Sequence, residues 1–360
     1  MIYHTIYERW NNDCDMTSGV KGMNDISDIM EKCGVQNIHI PSIRRRHRLG
    51  IIERARMQNK ILRSWLDACD ILCARDVLMI DLPLHEKFAF LGKLVRHLKH
   101  KQIHVVFFAA DLELARNDTY SGIKKWYVMR SERYCIRHAD ALIAHNDIYK
   151  DLLIRNGATC PIITFGIFDY LITEEERVFL RDTKRIKDGA VIIAGNLKPP
   201  KSEYIHKLPE NCYFNIYGPN YDESKNKNVS YKGAFNPDDL IYHLEGSYGL
   251  IWDGSSSESC VGAYGEYLKI NTPHKLSLYL ACGIPVIIWR HAAAADFVEK
   301  HRCGFTISNL EDIPRIRASI SEEEYAEMSK NSQKIGEDLT KGLRTKSVIS
   351  ELSELFGQFP

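Results

Sequence analysis

In "INTPHKLSLYLACGIPVIIW" (residues 270–289), Lys275 stands where a cation is unexpected. Thr272 reads as a helix cap and Pro273 as the first helical position, where no amide donor is missed. Leu276, Tyr279, Leu280 and Gly283 then recur at helical spacing, and Gly283 suits a left-handed end. A positive charge in the first turn opposes the helix dipole by about 0.3–1 kcal/mol. Burying it unpaired costs several kcal/mol, so Lys275 reaches solvent or meets a fixed anion. A second lysine-bearing turn lies in "AVIIAGNLKPPKSEYIHKL", where a strand ends at Gly195-Asn196 and Lys198 and Lys201 open a predicted helix. Helix amides beside a lysine make a phosphate cradle. Two such starts aimed at one cleft suit a diphosphate, whose charge they offset without a metal. Tyr217 sits at a strand end where an aromatic ring can stack on a nucleobase; core packing is the other reading.

The elements around these residues follow one pattern. Short apolar runs alternate with amphipathic segments, as in parallel sheets with crossover helices. In the first half the predicted strands are 37–40, 77–82, 104–109 and 141–145, with helices over 22–33, 51–68, 85–99, 121–138 and 147–156. In the second half the strands are 190–195, 213–218, 229–233, 249–254 and 285–289. Helices are expected near 201–208, 237–246, 273–282, 292–302 and 321–333, with a last segment at 345–356. The charged stretch 170–185 marks the break, giving a first domain over 1–170, a second over 171–344, and a final helix at 345–360 that can cross back. In doubly wound domains the functional loops follow the carboxyl ends of the strands. In the second half those ends are Gly195-Asn196, Tyr217 to Asn220, Asp253-Gly254 and the loop before Lys275.

Composition narrows the class. With 360 residues, 44% hydrophobic and 26% charged, the chain suits two ordinary globular domains. No apolar run approaches the ~20 residues that span a bilayer, and the amino terminus lacks the order of a signal peptide. Cytoplasm is the expected compartment, with association at the inner face of a membrane. The ten cysteines form no CxxC pair, and reduced, mostly buried thiols are expected. Residues 1–165 hold 25 Lys/Arg against 19 acids, and residues 166–360 hold 23 against 28. The excess concentrates in residues 44–63, with eight Lys/Arg and one acid, a stretch that can meet anionic headgroups or form a solvated helix face. The acidic second half and the lack of stacking motifs argue against nucleic acid.

Several segments carry a resemblance: "FGIFDYL" (165–171), "IIAGNLKPPKSEYI", "YGLIWDGSSSESCVGAYGEYLKINTPHKLSLYLACGIPVIIW" and "AAAADFVEKHRCGFTI". They resemble bacterial glycosyltransferases of the β-1,6-galactofuranosyltransferase kind and the streptococcal glucosyltransferases that extend adhesin glycans. The resemblance implies the GT-B fold, two Rossmann-like doubly wound domains facing a cleft, with acceptor on the first and UDP-sugar on the second. It puts Lys275 on the diphosphate with His274 and Asn271 beside it, Asn196 and Lys198 or Lys201 facing the donor, and Tyr217 at the uridine. Asp253 and Gly254 would line the sugar or acceptor side, and Ser18 and Gly19 would approach from the first domain. Where the family has a His-Asp pair after the third strand, "FFAADLELARN" keeps Asp111 but has Ala110, leaving Asp111 as the catalytic base candidate.

The expected reaction is transfer of a galactofuranosyl or glucosyl group from a UDP-sugar to a hydroxyl of a surface-glycan acceptor, lipid-linked or protein-linked. It needs a base for the hydroxyl and charge stabilisation for departing UDP. No metal or further cofactor is expected. "DCD" (13–15) has a metal-diphosphate form but does not follow a nucleotide-binding strand. Glu258 and Glu266 have the spacing of many retaining enzymes, yet Leu278 stands where the second glutamate belongs, which favours inversion. A UDP-sugar epimerase of similar build and a non-catalytic glycan-binding or chaperone subunit are the competing readings. A homo-oligomer is compatible with the sequence.

Overall fold

The computed structural model describes all residues except 8–17, 42–49, 85–87, 89, 118–119, 224–225 and 359–360, and the side chains of 7, 18–20 and 51. The expected "DCD" reading therefore lies outside the described residues. Two compact units emerge: Met1–Asp13, Ser27–Phe165 and Thr345–Pro360 form the first, and Cys14–Ile26 with Gly166–Arg344 the second.

The first unit is built on β1 (Ile2–Tyr7), α1 (Ser18–Lys32), β2 (Gln36–Ile40), α2 (Ile51–Ala68), β3 (Val77–Leu82), α3 (Leu91–His100), β4 (His104–Ala109), α4 (Glu113–Arg116), α5 (Gly122–His138), β5 (Ala141–Ala144), α6 (Asp147–Arg155) and β6 (Ile162–Thr164). The division between units runs through α1. The six strands are parallel in the order β2-β1-β3-β4-β5-β6. Their central members read as near-continuous apolar runs because helices cover a parallel sheet on both faces; Val105, Val106, Phe107 and Phe108 are all fully buried.

The second unit continues with α7 (Glu174–Asp182), β7 (Val191–Ala194), β8 (Phe214–Tyr217), β9 (Val229–Gly233), β10 (Tyr248–Ile251), α8 (Gly262–Leu268), α9 (His274–Ala281), β11 (Val286–Trp289), α10 (Ala295–Lys300), β12 (Gly304–Ile307), α11 (Asp312–Ser319) and α12 (Glu322–Thr340). The last helix, α13 (Leu343–Phe356), lies mostly in the first unit. Strand order is β12-β11-β10-β7-β8-β9, again parallel. The chain winds outward from β7 to β9, then restarts at β10 on the other side of β7. The carboxyl ends of β7 and β10 therefore flank the switch point at which doubly wound sheets bind ligands.

Three expectations are corrected. The predicted helices at 201–208 and 237–246 are short 3-10 turns, Glu203–Lys207 and Leu240–His243. In the first, Pro199 and Pro200 lack N–H donors and disfavour helical backbone in the residue before them, which delays the helix start. At α9 the cap is Pro273, not Thr272, and His274 takes the first position. Strands β1, β6 and β12, unassigned from sequence, complete the sheets. Among the described residues no helix is long and apolar enough to cross a membrane.

Candidate active site

Helix α9 is locked to the switch point by Tyr279. Its ring lies over Gly249 of β10, where an added Cβ would come 2.3 Å from the ring. Its hydroxyl accepts from Ala194 N–H (3.0 Å) and donates to Ile192 C=O (3.3 Å), both on β7. On the outer side α12 packs against α9, and Gly336 permits this because a Cβ there would lie 2.2 Å from Leu280 O. Gly283 ends the helix at φ 65°. This fixes Lys275, in the first turn of α9, beside the end of β10.

The anion that Lys275 meets belongs to the chain. Its Nζ lies 2.8 Å from Asp253 Oδ1 and donates to Trp252 C=O (3.2 Å), with side-chain exposures of 12% for Lys275 and 11% for Asp253. Of the two readings of Lys275, solvent or a fixed anion, the structure shows a fixed anion, and it is Asp253. Burial lowers the Lys275 pKa, Asp253 opposes that, and the nearby Lys201 lowers it further. Lys201 is thus close enough for its charge to be felt at Lys275, whose ion-pair partner is Asp253. An ammonium has three donors, and the contacts to Asp253 and Trp252 account for two.

The neighbouring loops are stitched together by backbone. Gly254 N–H donates to Lys201 C=O (2.6 Å), and Tyr204 N–H donates to Gly254 C=O (3.2 Å). Gly254 has φ 123°, and a Cβ there would lie 2.6 Å from Val261 O. Asn196 Oδ1 accepts from Lys198 N–H (3.1 Å) and Asn220 Nδ2 (3.0 Å), while its C=O accepts from Ser202 (2.9 Å). Gly195 and Gly218, at φ 140° and 137°, bring the ends of β7 and β8 so close that a Cβ on Gly218 would lie 1.8 Å from Gly195 O. The expected helix-based cradle at Lys198 and Lys201 is absent, since only a 3-10 turn follows; Lys201 instead lies 6.0 Å from the Tyr264 ring centre. Asn271 Oδ1 is buried and accepts no hydrogen bond among the described residues. Such an orphan is costly unless something outside the chain satisfies it.

Tyr217 is corrected. Its ring is 1% exposed and its hydroxyl accepts from Glu245 N–H (2.9 Å), so it packs the core and offers no free face to a base. His274 stacks on Phe168 (4.5 Å between ring centres) and fills the space that Gly22 of α1 leaves open. Ser18 and Gly19 form the first turn of α1, with the Ser18 side chain outside the described residues.

In the first unit, Asp111 follows β4, half exposed, 3.5 Å from Arg116. The turn that presents it is clamped by Tyr149, whose hydroxyl donates to Ala110 C=O (2.9 Å) and accepts from Leu112 N–H (3.2 Å). His145, at the end of β5, stacks on Tyr149 (4.8 Å), and burial lowers its pKa to about 4 although Asp111 opposes this. Glu132 of α5 accepts from Glu113 and Leu114 N–H (2.8 and 2.9 Å), anchoring α4, and burial raises its pKa to about 7. At this unit's own switch point, His4 Nε2 lies 3.0 Å from Asp81 Oδ2 across β1 and β3. Sequence reading missed these groups. His145 and Asp81, polar residues near the carboxyl ends of β5 and β3, carry a signal in the sequence; His4, Glu132 and Tyr149 lie inside a strand and helices and carry none.

The family model for the glucosyltransferase 3-like N-terminal domain matches residues 6–167, and that for the C-terminal domain matches residues 191–352. Over 217 residues the chain is 37% identical to the β-1,6-galactofuranosyltransferase WbbI of Escherichia coli K12, covering 59% of this chain and 63% of that protein. Over 138 residues it is 32% identical to glucosyltransferase 3 of Streptococcus gordonii, covering 37% of this chain and 40% of that protein. Both alignments span less than two thirds of the relative's length. Sucrose-phosphate synthase from Thermosynechococcus elongatus superposes over 99% of this chain and 100% of its own with a TM-score of 0.66 at 10% identity, a likeness of fold. That fold is GT-B, with two Rossmann-like domains. Matched in both halves by the paired domains of one family, the chain belongs to the glucosyltransferase 3-like family.

Proposed function

We propose that this chain is a glycosyltransferase that moves a hexosyl group from a UDP-sugar to a hydroxyl of a glycan acceptor. The observation that carries the reading is the constellation at the switch point of the second unit, in a chain of this family. There Lys275 is paired with Asp253, the charge of Lys201 is felt at Lys275, and Asn271 Oδ1 is a buried acceptor that a sugar hydroxyl, not a phosphate, would satisfy. Gly195, whose Cβ direction meets open space, keeps the end of β7 free of a side chain and allows a ligand close approach, while Gly218 and Gly254 let the flanking loops pack on one another. A diphosphate bound here would take the remaining donor of Lys275 and the charge of Lys201, and departing UDP would be stabilised by the same groups. Asn196, Lys198 and Gly254 would shape the rest of the donor site.

Asp111 is the base in this reading, accepting the proton of the acceptor hydroxyl as the new glycosidic bond forms. Its carboxylate is half exposed beside Arg116, and the Tyr149 clamp fixes the turn that carries it. The names of the relatives support galactofuranosyl and glucosyl as the groups to try, and inversion follows from the lack of a second glutamate before the glycine-proline segment. A lipid-linked or protein-linked glycan is the acceptor class. The test incubates the chain with UDP-galactofuranose or UDP-glucose and a panel of glycan acceptors, following UDP release. Acceptor-dependent release from one donor is expected; release from neither donor, with every acceptor, contradicts the reading.

A further inference from the structure

The first unit carries an unusual surface. α2 holds four Lys/Arg against two acids, α3 three against none, and α5 five against one. The single acid of α5, Glu132, is buried and committed to the amides of α4. These helices form one continuous layer, because α3 packs against both α2 and α5. Tyr134 of α5 lays its ring on Gly92 of α3, and its hydroxyl donates to Gly92 C=O (3.3 Å). Within this basic layer, α5 exposes a stripe of large apolar side chains at positions i, i+3 and i+4. Ile123 is 87% exposed, Trp126 59% and Tyr127 40%. Cations flank the stripe: the Arg130 guanidinium lies 5.4 Å from the Trp126 ring centre, and Lys124 Nζ lies 4.2 Å from that of Tyr120.

A solvated helix face has no use for Trp and Ile at such exposure, and a core helix would bury them. Trp and Tyr beside Lys and Arg are instead the residues that settle at the boundary between headgroups and acyl chains. We propose that this face docks on a bilayer bearing anionic headgroups, with α5 along the interface. The basic side chains of α3 and α5 would lie over the phosphates. Charge complementarity selects this occupant. A second copy docking through the same patch would bring like charges face to face, since a two-fold interface pairs a surface with itself. A nucleic acid would match the charge but leave Ile123 with nothing apolar to cover it. The inference adds α5 to the 44–63 stretch, of which 44–49 lie outside the described residues and the remainder runs into α2 of the same layer, and it stands apart from the transfer chemistry.

The test uses the full chain in co-sedimentation with extruded vesicles of phosphatidylcholine alone or of phosphatidylcholine mixed with phosphatidylglycerol. Because several cations would lie near the anionic surface, binding to the mixed vesicles should be at least ~10-fold stronger and should weaken at high salt. Trp126→Ser combined with Tyr127→Ser should lower that binding about tenfold. Lys124→Glu with Arg130→Glu should remove the preference for anionic vesicles. Ile186→Ser, at another exposed apolar residue (71% exposed) in the second unit, should change nothing. Circular dichroism confirms that each variant is folded. Equal binding to both vesicle types, or anionic binding that ignores the α5 variants, overturns the proposal. So does self-association or polyanion binding that needs α5 in a chain that leaves vesicles untouched.

Discussion

Lys275 and Asp253 form an ion pair, Nζ to Oδ1 at 2.8 Å, between the first turn of α9 and the loop after β10. Each side chain is only about one tenth exposed, so removing one partner strands the other's charge in a poorly solvated site. Lys275→Met should cost roughly 3–5 kcal/mol of second-unit stability, and Lys275→Met with Asp253→Asn should recover most of that. Urea denaturation of the two variants beside the parent checks this. Equal losses in the single and double variants would falsify the pairing as the source.

Gly218 and Gly195 both need left-handed backbone, but only Gly218 is also pressed against its neighbour. A Cβ on Gly195 meets open space, so Gly195→Ala carries backbone strain alone, on the order of 1–3 kcal/mol. Gly218→Ala must also push the ends of β7 and β8 apart, so it should destabilise more and weaken donor binding more. Melting temperatures and UDP titrations rank the two, and the reverse order contradicts the geometry.

Tyr149→Phe removes the oxygen that bridges Ala110 and Leu112 on either side of Asp111. Removing the acceptor of the buried Leu112 N–H should cost about 1–3 kcal/mol, while Ala110 keeps its backbone hydrogen bond with His145. If Asp111 is the base, kcat should fall several-fold with the KM for the donor unchanged. A stability loss with kcat intact would leave Tyr149 a structural residue only.

The acid response of the first unit should reflect two buried groups of opposite sign. Glu132, raised by burial from 4.5 to about 7, binds its proton more tightly in the folded state. Its contribution is therefore lost as pH rises through that window. His145, lowered by burial from 6.5 to about 4, contributes stability that is present above 6.5 and lost as pH falls through 4. Glu132→Gln should remove the first slope, so the variant gains on the parent as pH rises from 4.5 to 7, beyond a constant offset for the altered amide contacts. Denaturation midpoints across that range measure the difference; a pH-independent difference contradicts the assignment.

Much of this architecture is legible in the residues because a parallel sheet buries its strands on both faces. Apolar runs such as "VLMIDL" and "PVIIW" announce themselves, and α2 spans 51–68 as its periodicity predicts. β1 is less visible, since His4 and Thr5 interrupt "IYHTIY" although both are buried. The spacing of Tyr204, Ile205 and Leu208 reads as a helix, but the segment after Pro199 and Pro200 closes only as a 3-10 turn. The position of Lys275 was legible; its partner was not, because Asp253 lies 22 residues upstream and only the packing of α9 on β10 brings the two together. Tyr217 shows the same limit: a strand-end aromatic points to a ligand or to the core depending on neighbours such as Glu245, which closes over its hydroxyl.

The central claim is that the switch point of the second unit holds the diphosphate of a sugar nucleotide. Calorimetric titration of UDP into the parent, Lys275→Met and Asp253→Asn tests it directly. Saturable binding to the parent, weakened at least ~10-fold by Lys275→Met and preserved in Asp253→Asn, is the predicted result. Binding that ignores Lys275→Met in a folded variant, or no binding to the parent at all, contradicts it.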